Sequence, residues 1–286
     1  MRPLALFLAT ALTAAAAVPP AELDAVRQLL VERKLPEAEA AALKLTQAHP
    51  LEGAAFATLG TVLMTKQDPE AAVKAFERAV ALDPKSSEFQ RRLGDAYGFS
   101  AQKAGLLSKM GFAKKCVAAY EKAAELDPKS IAARQSLLGY YQQAPAMVGG
   151  GMDKAYAQAA EIKKLNADQG RLAYAQLYAA EKKWTEAFTE FEEVLKTEPE
   201  NYLANFQIGR LAALSGDRLD RGLEALRKAL TLTPTPGAAG HEAAHWRLGN
   251  ILEKKGDKAG AKAAYEAALK VNPKFPQAIE ALKKLG

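Results

Sequence analysis

Residues 241–245, His-Glu-Ala-Ala-His, have the types and spacing of a zinc centre. Two histidines four residues apart lie on one face of a helix, where both can bind one zinc ion while the glutamate deprotonates a zinc-bound water. A catalytic zinc also needs a third protein ligand. Glu266, on the next predicted helix, is the candidate. A zinc metallopeptidase that uses His241, His245 and Glu266 is therefore one hypothesis for the function.

Two further stretches contain residues that could do chemistry, but both lack the partners that the chemistry needs. Cys116 is the only cysteine, and no histidine lies within sixty residues of it to act as a base. We therefore expect a buried thiol that packs as a small apolar side chain. Gly149–Gly151 precede a predicted helix but lack the Gly-Lys-Ser/Thr ending of a phosphate-binding loop. We expect a hinge loop near residues 142–152 and no cofactor.

The elements that position these residues form a helical pattern repeated about seven times. A small residue is followed by an aromatic ring, a small apolar residue and a proline, as in Ala72, Phe76, Ala79 and Pro84. The small residue recurs at Ala38, Ala72, Cys116, Ala155, Ala187, Gly222 and Ala261. No segment alternates apolar and polar residues as a strand would, so the pattern predicts an all-α protein with two helices per unit.

The regular spacing of these small residues is the period of the repeat. This period and the Leu-Gly pairs upstream of the small residues, as at Leu59-Gly60 and Leu248-Gly249, resemble the tetratricopeptide repeat over about residues 21–286. The resemblance implies a right-handed α-solenoid of about seven helix-turn-helix units at 18–275 and a capping helix at 276–286. It also implies a non-enzymatic scaffold for protein–protein interaction, which binds a peptide or partner segment in its concave groove.

The resemblance further implies which side chains line that groove, because certain positions of the first helix of each unit face it. The candidate partner-binding residues at these positions are Arg91, Asp95, Gln135, Gln176, Phe206, Arg210, Trp246 and Asn250. Amides and arginines can bond a peptide backbone or carboxylate, and Phe206 and Trp246 would be apolar anchors. The repeat disfavours zinc, since His245 takes a packing position and His241 is expected to be solvent-exposed at a helix boundary.

The third unit is about ten residues longer than the period, and the surplus falls at 98–115. No acidic residue occurs from 96 to 120, whereas Lys103, Lys109, Lys114 and Lys115 do. One interpretation is a pair of longer helices that bury the apolar residues of this insert against each other. The other is a basic amphipathic surface that touches an acidic partner or a membrane. A membrane-surface adaptor is therefore a second alternative function, less favoured than the scaffold.

The N-terminus has the pattern of a secretory signal peptide at residues 1–17. Arg2 is followed by a short apolar run, by small residues at Ala14–Ala17 and by Pro19-Pro20. This pattern predicts export to a periplasm or, alternatively, secretion. The formal net charge of +6 is spread over interleaved lysines and acids, and no basic-aromatic motif of nucleic-acid-binding proteins is present. Nucleic acid is therefore not expected as a partner.

Overall fold

The computed structural model describes residues 17–285, and every regular element in that range is helical. The predicted signal peptide, except Ala17, lies outside the described residues. The α-helices are α1 Pro20–Val31, α2 Leu35–Ala48, α3 Gly53–Thr65, α4 Pro69–Leu82, α5 Ser87–Lys103, α6 Leu106–Leu126, α7 Ile131–Gln143, α8 Met152–Leu165, α9 Ala167–Ala180, α10 Trp184–Thr197, α11 Tyr202–Ser215, α12 Leu219–Leu230, α13 His241–Lys254, α14 Lys258–Val271 and α15 Pro276–Leu285. A short 3-10 helix spans Ala146–Val148. Between residues 17 and 285, none of the helices is both long enough and apolar enough to cross a membrane.

The chain forms two compact units that divide between Gly150 and Gly151. The first contains α1 to α7 and the second contains α8 to α15. Within each unit, helices pack mainly against their neighbours in the sequence, and the predicted pairs α3–α4, α5–α6, α9–α10, α11–α12 and α13–α14 are all in contact. The predicted all-α fold of successive helix pairs is therefore confirmed. Helix α15 packs on α14, where Ala278 is buried beside Ala261 and Tyr265.

Short turns with capping side chains set the ends of the helices. Pro84 follows the last turn of α4, and proline cannot continue a helix because its ring blocks the preceding turn. Two residues later the Ser86 hydroxyl accepts a hydrogen bond from the Phe89 amide and starts α5. The sequence Asp-Pro-Lys-Ser of residues 83–86 recurs at residues 127–130, between α6 and α7. There the Ser130 hydroxyl accepts a hydrogen bond from the Ala133 amide. The repeated turn places the successive helices side by side.

Glycines in the first helix of a pair let the second helix approach closely. A β-carbon built on Gly60, Gly94 or Gly249 would lie closer than 3.0 Å to the ring of Phe76, Tyr120 or Tyr265, respectively. Gly209 stands in the same relation to Leu226. No side chain fits at these four positions without a shift of its neighbour. The equivalent glycine of α7, Gly139, differs because its β-carbon would meet nothing within 4 Å.

The surplus residues of the third unit are helical except for Ala104 and Gly105, which separate α5 from α6. Helix α5 has 17 residues and α6 has 21, whereas the other helices of the first unit have 12 to 14. The expected lengthening of both helices is present, and it is larger in α6 than in α5. Burial is incomplete, however. Phe99, Met110 and Phe112 are half-buried and Leu106 is 77% exposed.

Candidate partner-binding site

Three of the predicted groove residues, Arg210, Trp246 and Asn250, lie on two helices of the second unit that pack against each other, α11 and α13. The Asn201 side chain caps α11 by accepting from the Ala204 amide, at 2.9 Å. Arg210 lies two turns further along that helix. Trp246 and its neighbour Arg247 lie in the second turn of α13. The side chains of α11 and α13 therefore form one surface.

The aromatic part of this surface is held by contacts on both sides of Trp246. The Arg247 guanidinium lies 4.0 Å from the centre of the indole ring, within the range of a cation–π contact. The ring of Phe275 meets the indole edge-on, with centroids 6.1 Å apart. Asn250, one turn on from Trp246, donates from Nδ2 to the Tyr265 hydroxyl at 3.0 Å. The indole is therefore held in one orientation while it stays partly exposed.

Arg210 and Arg247 interact electrostatically on this surface, and neither is paired with a carboxylate of the described residues. Burial, followed by repulsion from the positive charge of Arg210, lowers the pKa of Arg247 to about 10. At neutral pH Arg247 therefore remains charged. Arg210 donates to the Gln207 side chain at 3.1 Å, and neither guanidinium forms an ion pair with any of residues 17–285. The pair can therefore take a carboxylate or phosphate of a partner in a bidentate bond.

A small cavity continues this surface toward the C-terminus. It has a volume of about 250 Å³ and is lined by Trp246, Asn250, Glu253, Gln277, Glu280, Ala281 and Lys284. Its walls come from α13 and α15. It is large enough for a single side chain next to the indole.

Three models of the tetratricopeptide repeat match the sequence. One matches residues 23–87, 57–97 and 172–239, which together make half of the chain. The others match residues 93–130 and 242–275. The chain belongs to the tetratricopeptide repeat family. Proteins of this family are scaffolds for protein–protein interaction, and the protein is accordingly an interaction scaffold.

Solved structures of other tetratricopeptide repeat proteins have the same fold. One from Parabacteroides merdae is 17% identical, with a TM-score of 0.63 over 93% of this chain and 97% of the other. A thermophilic one, TTC0263 of Thermus thermophilus, is 19% identical, with a TM-score of 0.52 over 74% of this chain and 98% of the other. The Cut9–Hcn1 hetero-tetramer of the APC/C matches 91% of this chain and 48% of its own at 14% identity and a TM-score of 0.60. No curated protein sequence matches the chain.

The tetratricopeptide repeats of the first unit contain two predicted site residues that bond to each other. Arg91 donates to Asp95 at 2.9 Å and to Glu88 at 2.8 Å, and the Tyr120 hydroxyl donates to the other Asp95 oxygen at 2.8 Å. The Arg91 side chain is only 15% exposed. These groups link α5 to α6 and have little capacity left for a partner.

Of the remaining predicted partner-binding residues, two have exposed side chains and one has a buried side chain. Gln135 on α7 and Gln176 on α9 are exposed, in the first and second unit respectively. Phe206 is 5% exposed and stacks on Tyr202, with ring centroids 6.1 Å apart. Phe206 is therefore a core residue, which corrects the prediction that it is an apolar anchor for a partner. It is buried because α10, α12 and α13 all pack around its helix.

Sequence reasoning missed Arg247, although a signal for it was present. An acidic residue three or four positions away can neutralise a helical arginine, as Glu88 and Asp95 do for Arg91. Arg247 has only alanine, asparagine and isoleucine at those positions. Arg247 is thus a cation without an acidic neighbour on its helix, and it follows Trp246, which was already placed in the groove. These two features of the sequence could have identified it.

The histidines of the 241–245 motif take structural positions in the tetratricopeptide fold. His241 is half-buried, which corrects the expectation that it is solvent-exposed: its Nε2 donates to the Leu232 carbonyl at 2.8 Å and its ring lies beside Tyr202. Burial, then the neighbouring His241, lowers the pKa of His245. Glu266 is exposed on α14. Within residues 17–285, no three His, Cys, Asp or Glu side chains come together to hold a metal, so the zinc hypothesis gains no third ligand.

Proposed function

We propose that this protein is an exported, non-enzymatic scaffold whose second unit binds an extended peptide segment with an acidic side chain or a C-terminal carboxylate. The partner is a protein. The binding surface is formed by Arg210, Trp246, Arg247 and Asn250. The observation that carries the proposal is the pair of neighbouring arginines that has no carboxylate partner among the described residues.

The electrostatics of the arginine pair favour an anionic ligand. Burial lowers the pKa of Arg247, and repulsion from the like charge of Arg210 lowers it further. A bound carboxylate would remove the repulsion and add charge-assisted hydrogen bonds to the planar guanidinium groups. An uncharged or basic segment would gain neither, so the site selects acidic partners.

The surroundings of the pair suit a peptide better than a free anion. Trp246 offers an apolar face of the kind that often dominates the energy of a protein interface. Asn250 donates its amide hydrogen to Tyr265, which leaves its carbonyl oxygen to accept from a peptide N–H. The adjacent cavity of about 250 Å³ is large enough for one side chain of the ligand.

Export is proposed from the sequence of residues 1–17 alone. The basic start, apolar run and small-residue end form the pattern of a signal peptide. N-terminal sequencing of the protein recovered from the periplasm of an expressing Gram-negative host tests this proposal. A mature chain that starts near residue 18 supports export, whereas an intact Met1 in the cytoplasm contradicts it.

Selection from a displayed peptide library tests the binding site. We expect the selected peptides to be rich in Asp and Glu next to an apolar residue. Their affinity for the Arg247→Gln variant should fall by about tenfold or more, since a hydrogen bond to a charged group contributes roughly 1.5–3 kcal/mol. Arg227→Gln is the matched control, because it removes the same charge from an exposed position on α12.

Two results would count against the proposal. One is a selection without enrichment of acidic residues. The other is an equal loss of affinity in the Arg247→Gln and Arg227→Gln variants, which would indicate a general effect of net charge. Trp246→Ala adds an independent check, because it should weaken binding without changing the dependence of the affinity on salt concentration.

A further inference from the structure

The first unit contains an open cavity of about 760 Å³ that the proposed function does not use. It lies between the end of α5, helices α6 and α7, and the loop that follows α7. The apolar side chains of its lining include Leu106, Met110, Ala113, Ala144, Met147 and Val148. The volume is within the range of roughly 300–1,000 Å³ that is usual for small-molecule sites.

Two departures from the repeat form this cavity. The first turns of α6, which exceed the usual repeat length, provide one wall. The opposite wall is a loop closed on itself, in which the Gly150 amide donates to the Pro145 carbonyl and the Tyr140 hydroxyl donates to the Val148 carbonyl. Gly139 is part of the lining and presents no side chain, so the space in front of α7 stays open.

The charge of the cavity has one sign. Lys109 is the only charged residue of its lining. No Asp or Glu occurs at 96–120 or at 128–152, the segments that build the walls. Lys109 has no ion-pair partner among residues 17–285. The cavity is thus a mainly apolar surface with several uncharged polar side chains and a single cation, which matches an apolar ligand with one negative end.

Hydrogen bonding within the lining favours an acyl chain over a peptide backbone. The Tyr140 hydroxyl is bonded to Val148 at 2.6 Å, and the Tyr120 hydroxyl is bonded to Asp95 at 2.8 Å. The other uncharged polar side chains of the lining are Gln102, Gln135, Ser136 and Gln143. A buried peptide would need a hydrogen bond for every backbone amide, whereas an acyl chain needs none. Methionines on both walls can adapt to a flexible chain.

We propose that this cavity binds a single-chain anionic amphiphile of the fatty-acid class. Its chain lies along Leu106, Met110 and Met147, and its carboxylate pairs with Lys109. Binding covers two side chains that water otherwise surrounds, since Leu106 is 77% exposed and Met147 is 70% exposed.

Displacement of a fluorescent polyene fatty acid from the full chain tests this proposal. Palmitate should compete for a saturable site, and Gly139→Phe, which fills the cavity, should weaken its binding by about tenfold or more. Gly111→Phe is the matched control: a glycine of α6 with nothing within 4 Å, outside the lining. Lys109→Gln should weaken palmitate about three- to tenfold but leave hexadecanol unchanged, whereas Lys114→Gln should change neither.

A second pair of variants covers the case in which Gly139→Phe does not fold. Met147→Glu puts a negative charge at an exposed position of the mouth, and Val31→Glu puts one on α1, far from it in the sequence. Only the first should weaken palmitate. The proposal is overturned if palmitate shows no saturable binding. It is also overturned if Gly139→Phe and Gly111→Phe, or Met147→Glu and Val31→Glu, weaken palmitate binding equally. It is also overturned if binding occurs only to anionic vesicles and depends equally on Lys114 and Lys109, which would identify a membrane contact instead.

Discussion

Arg91 and Arg247 lie on equivalent helices of two repeats, and their neighbours one turn away determine what each can do. Arg91 is held by Glu88 and Asp95, so its charge is neutralised within the fold. Arg247 has Trp246 and another arginine beside it, so its charge is not neutralised. The first residue stabilises a helix pair, whereas the second is available to a partner.

Cys116 should be unreactive in the native protein. Burial raises the pKa of its thiol to about 12, so at pH 8 the thiolate is on the order of a thousandfold less populated than for a free cysteine. An aromatic disulfide reagent should therefore label Cys116 very slowly in buffer and rapidly in denaturant, and the native rate should still be rising above pH 10. Fast native labelling at pH 8 would show that the thiol is accessible and ionised.

Single residues were predictable from the sequence where neighbours along one helix decide their role. The burial of Cys116 follows from its place at the small-residue position of the repeat. The burial of Phe206 does not, because it depends on three other helices that close over α11. The half-burial of His241 depends likewise on a carbonyl nine residues earlier, in a loop whose course the repeat does not specify.

At the scale of the helix, the repeat predicts where elements start and pack, because glycines and rings recur at fixed spacing. It predicted the helix pairs and the longer third unit. It could not predict how far α6 would extend or which of its apolar side chains would stay exposed, since insertions have no counterpart in the other units. The cavity beside α6 was invisible in the sequence for the same reason.

Equivalent glycines in two helices should respond to alanine in opposite directions. In Gly249→Ala the new methyl group would collide with the Tyr265 ring, so we expect a loss of about 1–3 kcal/mol in unfolding free energy. In Gly139→Ala the methyl group meets open space, and the better helix propensity should stabilise by up to about 1 kcal/mol. Urea unfolding of both variants measures this, and a shift of the same sign in both would contradict the packing described.

At the scale of the whole chain, the division between Gly150 and Gly151 separates two sets of complete helices. Each set has its own buried clusters, as with Val26, Ala42 and Val62 in the first unit and Phe188, Phe191 and Ile208 in the second. The two proposed binding sites fall in different units.

Fragments 17–150 and 151–286 should therefore each fold when they are expressed alone. We expect helical circular dichroism and a cooperative thermal transition for both, with acidic-peptide binding retained by 151–286 and fatty-acid binding by 17–150. A cut between residues 130 and 131 is the control. This cut separates α7 from α6, and the two helices pack against each other. If the fragments from the cut at 130/131 are as stable as those from the cut at 150/151, the division between Gly150 and Gly151 is not a unit boundary.

The contact between a glycine and a ring also has a magnetic consequence. Gly60, Gly94 and Gly249 present α-protons to the rings of Phe76, Tyr120 and Tyr265, whose ring currents move nearby proton resonances out of the ordinary range. Gly209 faces Leu226, which has no ring current, and its resonance should stay in the ordinary range. Glycine-selective NMR labelling therefore turns three repeats into separate reporters, whose signals show whether the array melts as one body or repeat by repeat.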